Sequence, residues 1–72
     1  MTAEEWVEAF SRRAGLEPPS PDQMEEILRL ASIAAHASER KAAPIACWVA
    51  GTSGRPIAEL LRVGEELVST EG

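Results

Sequence analysis

Residues 35–51, Ala-His-Ala-Ser-Glu-Arg-Lys-Ala-Ala-Pro-Ile-Ala-Cys-Trp-Val-Ala-Gly, gather the only histidine, the only cysteine and one of the two tryptophans of the chain. Cys47 and His36 could serve as a nucleophile and its base, because a thiolate at neutral pH needs a nearby base or cation to activate it. The spacing argues against that pairing. Eleven positions fit no motif, cysteine is among the most buried residue types, and a lone histidine on a polar strip is usually solvated. No catalytic residue is expected. One histidine and one cysteine cannot close a four-ligand zinc site, so no metal is expected, and no cofactor signature is present.

Ser38-Glu39-Arg40 offers different chemistry. A glutamate and an arginine at the end of an alanine-rich helix can reach the next helix start. Glu39 would accept backbone amides there, and Arg40 would bond the carbonyls that end the helix before it. The same side chains could instead meet a partner. His36 and Arg40, four apart on one helix face, could hold an anionic group between them. His36, Glu39, Arg40, Lys41 and Trp48 are therefore the candidate partner- or ligand-binding residues. Gly51-Thr52-Ser53-Gly54 resembles a phosphate-cradling loop only faintly, since no preceding strand and no following lysine complete that pattern; an interhelical turn is the plainer reading.

These side chains need helices to position them. Thr2-Ala3-Glu4-Glu5 is a capping box that starts a helix running to about Ala14, with Ala3, Trp6, Val7, Phe10 and Ala14 on one face. Gly15 stops it, and Leu16 is placed to fold back onto its last turn. The proline-rich run 17–21 is a rigid connector that ends in a second box, Ser20 to Gln23, with Pro21 at the first helical position. The second helix should reach about Ser38. Its apolar face takes Met24, Ile27, Leu28, Ala31, Ala34, Ala35 and Ser38, widened by Leu30, Ile33 and Ala37. Glu25, Arg29, Ser32, His36 and Arg40 remain on a polar strip. Ser38 should point inward and bond the Ala34 carbonyl.

Ala43 and Pro44 begin a short helix through Ala50, with Ile45 and Val49 on one side, Trp48 near them and Cys47 turned away, and Gly51 ends it. Pro56 opens the last helix, whose stripe is Ile57, Leu60, Leu61, Gly64, Leu67 and Val68. Glycine inside a helix costs about 1 kcal/mol relative to alanine, so Gly64 marks a close helix crossing. Residues 69–72 should fray. No segment alternates with period two. The expectation is an all-α, compact four-helix domain spanning residues 1–72, with three amphipathic helices and one short one.

With 72 residues there is one domain and a thin core, and neither a disulfide nor a closed metal site can staple it. Packing or self-association must supply the difference. A net charge of -5, with the basic doublets Arg12-Arg13 and Arg40-Lys41 each near acidic residues, opposes nucleic-acid binding. No apolar run approaches the ~20 residues of a membrane span, and no secretory segment is seen, so a cytoplasmic location is expected.

Trp6, the Gly15-Leu16 turn leading to prolines, Ala-Ala-His-Ala-Ser-Glu-Arg at 34–40 and Ala-Ala-Pro-Ile-Ala-Cys-Trp-Val-Ala-Gly at 42–51 together resemble an uncharacterised small bacterial domain. That family occurs alone or fused after molybdenum cofactor guanylyltransferase. The resemblance covers nearly the whole chain and implies an association with molybdenum cofactor maturation. It carries no activity across, because the enzyme's glycine-rich nucleotide loop on an α/β sheet has no counterpart here. The expected function is a non-catalytic accessory module that binds a protein, with the guanylyltransferase as the implied partner. The alternatives are a domain that binds a pterin or nucleotide phosphate, and a self-associating module that forms a homodimer.

Overall fold

Thr2 and Ser20 start the first two helices by the same device. In each case the hydroxyl accepts the amide three residues on, and that residue's side chain accepts the cap's own amide: Thr2 with Glu5 at 3.1 and 2.7 Å, Ser20 with Gln23 at 3.1 and 2.8 Å. The computed structural model describes residues 1–71 and forms four helices among them, with no strand: α1 (Ala3–Arg13), α2 (Pro21–Ala37), α3 (Ala42–Thr52) and α4 (Ile57–Glu71). The all-α, four-helix expectation holds. α4 continues through residues assigned above to a frayed tail, and Gly72 lies outside the described residues.

After α1, Gly15 takes a left-handed φ of 74°, the Leu16 amide bonds the Ser11 carbonyl at 2.8 Å, and the Gly15 amide bonds that of Arg12 at 3.0 Å. This is a Schellman closure, and glycine is what makes its left-handed residue cheap. After α3 the left-handed glycine is Gly54, at φ 73°. Gly51, expected to end the helix, lies inside it instead, because Ser53 caps Ala50 through both its amide and its hydroxyl.

α2 is the central helix and packs against α3 and α4, which touch each other only slightly. The buried apolar side chains are Leu30 on α2, Ala50 on α3 and Leu61 on α4, with Ile33, Ile57 and Leu60 packed around them. α4 crosses α2 at Gly64, where an added Cβ would stand 3.1 Å from Leu30 Cδ1. The close crossing inferred from a glycine in mid-stripe is present.

Three expected faces turn out differently. α2 centres its buried side on Leu30, which leaves Leu28 exposed; α3 and α4 approach from the Leu30 side, so the stripe rotates toward them. α3 seats its small side, Ala46, Cys47 and Ala50, toward the body, and its large residues Ile45, Trp48 and Val49 face outward. A helix of small residues can pack closely, and the bulky side is left without a neighbour. α1 makes no close approach to any other helix. Its Glu4, Val7 and Glu8 instead face Pro18, Pro19 and Pro21 and the first turns of α2 across an open groove, with Ser11 buried and Val7 half-buried, while Trp6 and Phe10 stack on each other in the open with centroids 5.1 Å apart.

Candidate functional site

The polar strip on α2 finds a neighbour in α4. Arg29, Ser32, Ile33, His36 and Ala37 line one side of an open groove of about 580 Å³, and Glu65 and Val68 line the other. Arg29 and Glu65 bridge the two helices at 3.2 Å. His36 Nδ1 lies 2.7 Å from the Ser32 carbonyl and 3.3 Å from its hydroxyl. A carbonyl only accepts, so Nδ1 carries the hydrogen, and in the neutral ring Nε2 is the open basic nitrogen. The strip was legible from spacing on one helix. Glu65 and Val68 were not, because their place opposite it depends on where Gly64 lets α4 cross.

The anion clasp expected between His36 and Arg40 is not formed. α2 ends at Ala37, with Ser38 as its cap at φ -138°, ψ -104°, so Arg40 does not sit one helical turn above the histidine. Ser38 is exposed rather than inward, and its contact with the Ala34 carbonyl is made by its amide at 3.1 Å. Turning the chain so soon after α2 takes the serine off the helix face.

Glu39, Arg40 and Lys41 form the exposed corner between α2 and α3. Their part in it is mainly a backbone one. The carbonyls of Glu39 and Arg40 accept the amides of Ala42 and Ala43 at 2.9 and 3.1 Å, whereas Lys41, the residue at the helix start, makes no side-chain cap. The Glu39 carboxylate, expected on backbone amides, lies instead 3.9 Å from the Lys41 ammonium, both well exposed. Such a pair is weak in water.

Cys47 and His36 are kept apart. The Cys47 thiol faces the Ile27 carbonyl at 3.9 Å, and Ile27 precedes His36 by nine residues, roughly 13 Å along the helix axis. Partial burial pushes the thiol above its ordinary value by desolvation, the opposite of what a nucleophile requires. In the turn after α3, Thr52 and Ser53 donate their hydroxyls to the Val49 and Ala50 carbonyls at 2.8 and 2.6 Å. Those hydroxyls serve the turn.

The outer side of α3 is the largest departure from ordinary surface. α3 contains no charged residue over its eleven positions, yet it is packed on one side only, leaving Ile45 60% exposed, Val49 52% and Trp48 70%. A surface helix normally turns a polar face to water, and one that is apolar all round belongs in an interior. Sequence reasoning picked out Trp48 as a candidate and left out Ile45 and Val49, which it set together on one side of the helix with Trp48 near them. The absence of any charge between Ala42 and Thr52 was the signal available.

Comparison with known proteins gives one match: a family model described as a domain of unknown function (DUF6457) covers residues 1–67. No curated protein and no solved structure matches the chain.

Proposed function

We propose that the chain, which belongs to the DUF6457 family of domains of unknown function, is a non-catalytic helical module that binds a protein partner through the outer face of α3. The observation that carries this reading is the uncharged helix with Ile45, Trp48 and Val49 exposed along one side. A contiguous apolar face rimmed by polar groups is the usual anatomy of a docking surface, and tryptophan is enriched at the centre of such surfaces. Glu39, Arg40 and Lys41 stand at the start of that helix and supply the rim.

The implied partner is molybdenum cofactor guanylyltransferase, in a cytoplasmic setting of molybdenum cofactor biosynthesis or delivery. Its support is the resemblance of residues 34–40 and 42–51 to a small domain found alone or fused to that enzyme. The chain's charge of -5 favours a protein over a nucleic acid. Co-purification of the separately expressed chain with the guanylyltransferase is the test. Retention by wild type and loss by Trp48→Asp supports the reading, and no retention of wild type counts against it.

The His36 groove supports a second reading, a small anionic ligand such as a nucleotide or pterin phosphate held by His36 and Arg29. It is the weaker one, because Arg29 already pairs with Glu65 across the groove. A rise in melting temperature with GTP or a pterin phosphate, absent in His36→Ala, would favour it over protein docking.

A further inference from the structure

We infer that the groove between α1 and α2 is a docking site for a basic amphipathic helix of a protein partner. The inference goes beyond the docking role of α3 and uses a different surface. Its first support is shape. α1 presents Glu4, Val7 and Glu8, and α2 presents Met24, Glu25 and Leu28, on either side of Pro18, Pro19 and Pro21, around an open groove of about 460 Å³. Residues three and four apart form a stripe along a helix. Two such stripes facing each other are the walls between which an amphipathic helix lays its apolar side.

The floor between those walls is apolar. Val7, Pro18, Pro19 and Met24 are half-buried, and Leu28 stands 66% exposed at the groove's edge. α1 is eleven residues long and approaches no other helix, and an isolated helix shorter than about 12–15 residues is marginal in water. A helix seated in the groove supplies the neighbour that α1 lacks.

Charge selects the occupant. Among the described residues, the only charged groups lining the groove are the carboxylates of Glu4, Glu8 and Glu25. Glu8 is paired with Arg12 at 3.0 Å, whereas Glu4 and Glu25 have no ion-pair partner among the described residues. This is more than the chain's general acidity, because the groove beside His36 is lined by Arg29 as well as Glu65. An apolar floor under an acidic rim complements an apolar stripe flanked by lysine or arginine, and it repels nucleic acid and the anionic surface of a membrane alike. A small organic cation is a poorer fit. Sites for small molecules bury most of the ligand, and this groove is open along its length.

Calorimetric titration of the full chain with two synthetic peptides tests this. Each is about two heptads long and patterned as an amphipathic helix, one of leucine and lysine, the other with glutamate in place of every lysine. The lysine peptide should bind saturably, one to one, and more weakly as salt rises; the glutamate peptide should not bind. Glu4→Gln with Glu25→Gln should weaken binding about tenfold, the combined effect of two exposed charge pairs. Glu59→Gln with Glu66→Gln makes the same change in net charge outside the groove and should weaken it less than about twofold. Leu28→Asp adds a carboxylate while removing the apolar anchor, so it should weaken docking at least about tenfold, whereas attraction by charge alone would strengthen. No saturable binding by wild type, equal binding of the glutamate peptide, equal loss from the two glutamine pairs, or undiminished binding by Leu28→Asp overturns the inference. Trp48→Asp should bind the lysine peptide as wild type does, so failure of the α3 docking reading and failure of this one are separate results.

Discussion

Replacing Gly64 with alanine sets two effects against each other at the α2–α4 crossing. In the interior of α4, alanine is favoured over glycine by about 1 kcal/mol. The added Cβ would stand 3.1 Å from Leu30 Cδ1 and 3.9 Å from Ile33 Cγ2. Ordinary contact begins near 3.4 Å, so Leu30 must withdraw by a few tenths of an ångström while only 6% exposed. An extra methyl forced into a packed site costs about 1–3 kcal/mol, with the low end fitting a side-chain terminus. The two terms nearly cancel, and Gly64→Ala alone should change unfolding free energy by less than about 0.5 kcal/mol. Leu30→Val removes the obstructing carbon and should cost about 1 kcal/mol by itself. On that background Gly64→Ala should stabilise by about 1 kcal/mol, so the double-mutant cycle returns a coupling of about that size. Urea unfolding of the four chains, followed by far-ultraviolet circular dichroism, measures every corner of the cycle. Equal effects of Gly64→Ala in both backgrounds would refute the crossing.

Two further predictions follow from the caps and the thiol. Thr2→Ala and Ser20→Ala remove equivalent capping boxes, each worth about 0.5–2 kcal/mol, yet only Ser20→Ala should lower the unfolding free energy by that amount, seen as a lower urea midpoint, because α2 carries the core; Thr2→Ala should instead reduce helical signal at α1 with the main transition nearly in place. Cys47 has its folded-state value raised by desolvation, so unfolding exposes a thiol that ionises at lower pH. Stability should be level below the ordinary thiol range and fall as pH rises through it, a decline that Cys47→Ala should flatten; the native thiol should also react with a disulfide reagent more slowly than the urea-unfolded chain. Matching alkaline slopes in both chains would remove Cys47 as the cause.

Much of this fold can be read along the chain because its signals are local. Thr2 with Glu5, Ser20 with Gln23, Gly15 with Leu16 and the prolines between them all act within a few residues, and each is realised in the structure. Gly64 also showed itself, since a glycine in an apolar stripe has a cost that a close neighbour explains. The faces were harder. Periodicity finds the apolar side of a helix without saying whether anything covers it. Trp6, Phe10, Ile45 and Val49 have the spacing of core residues and remain exposed, because α1 turns its Glu4, Val7 and Glu8 side toward the prolines and α2 and α3 packs by its small residues. The ideal 100° ruler likewise carried Arg40 into line with His36, and a helix ending at Ala37 breaks that line. The groove beside His36 needed the α4 partners Glu65 and Val68, and no spacing within α2 could supply them.

The docking face proposed for the exposed side of α3 is open to a direct binding test. Titration of purified molybdenum cofactor guanylyltransferase with wild type and with Trp48→Asp, by calorimetry or interferometry, addresses it most directly. Trp48 is 70% exposed and lies in no buried cluster, so the variant should fold normally, with an unchanged urea midpoint. Wild type should bind saturably, and the variant should lose at least about 2 kcal/mol, roughly thirtyfold in affinity. Equal affinity of the two chains, or no binding by wild type, would contradict it.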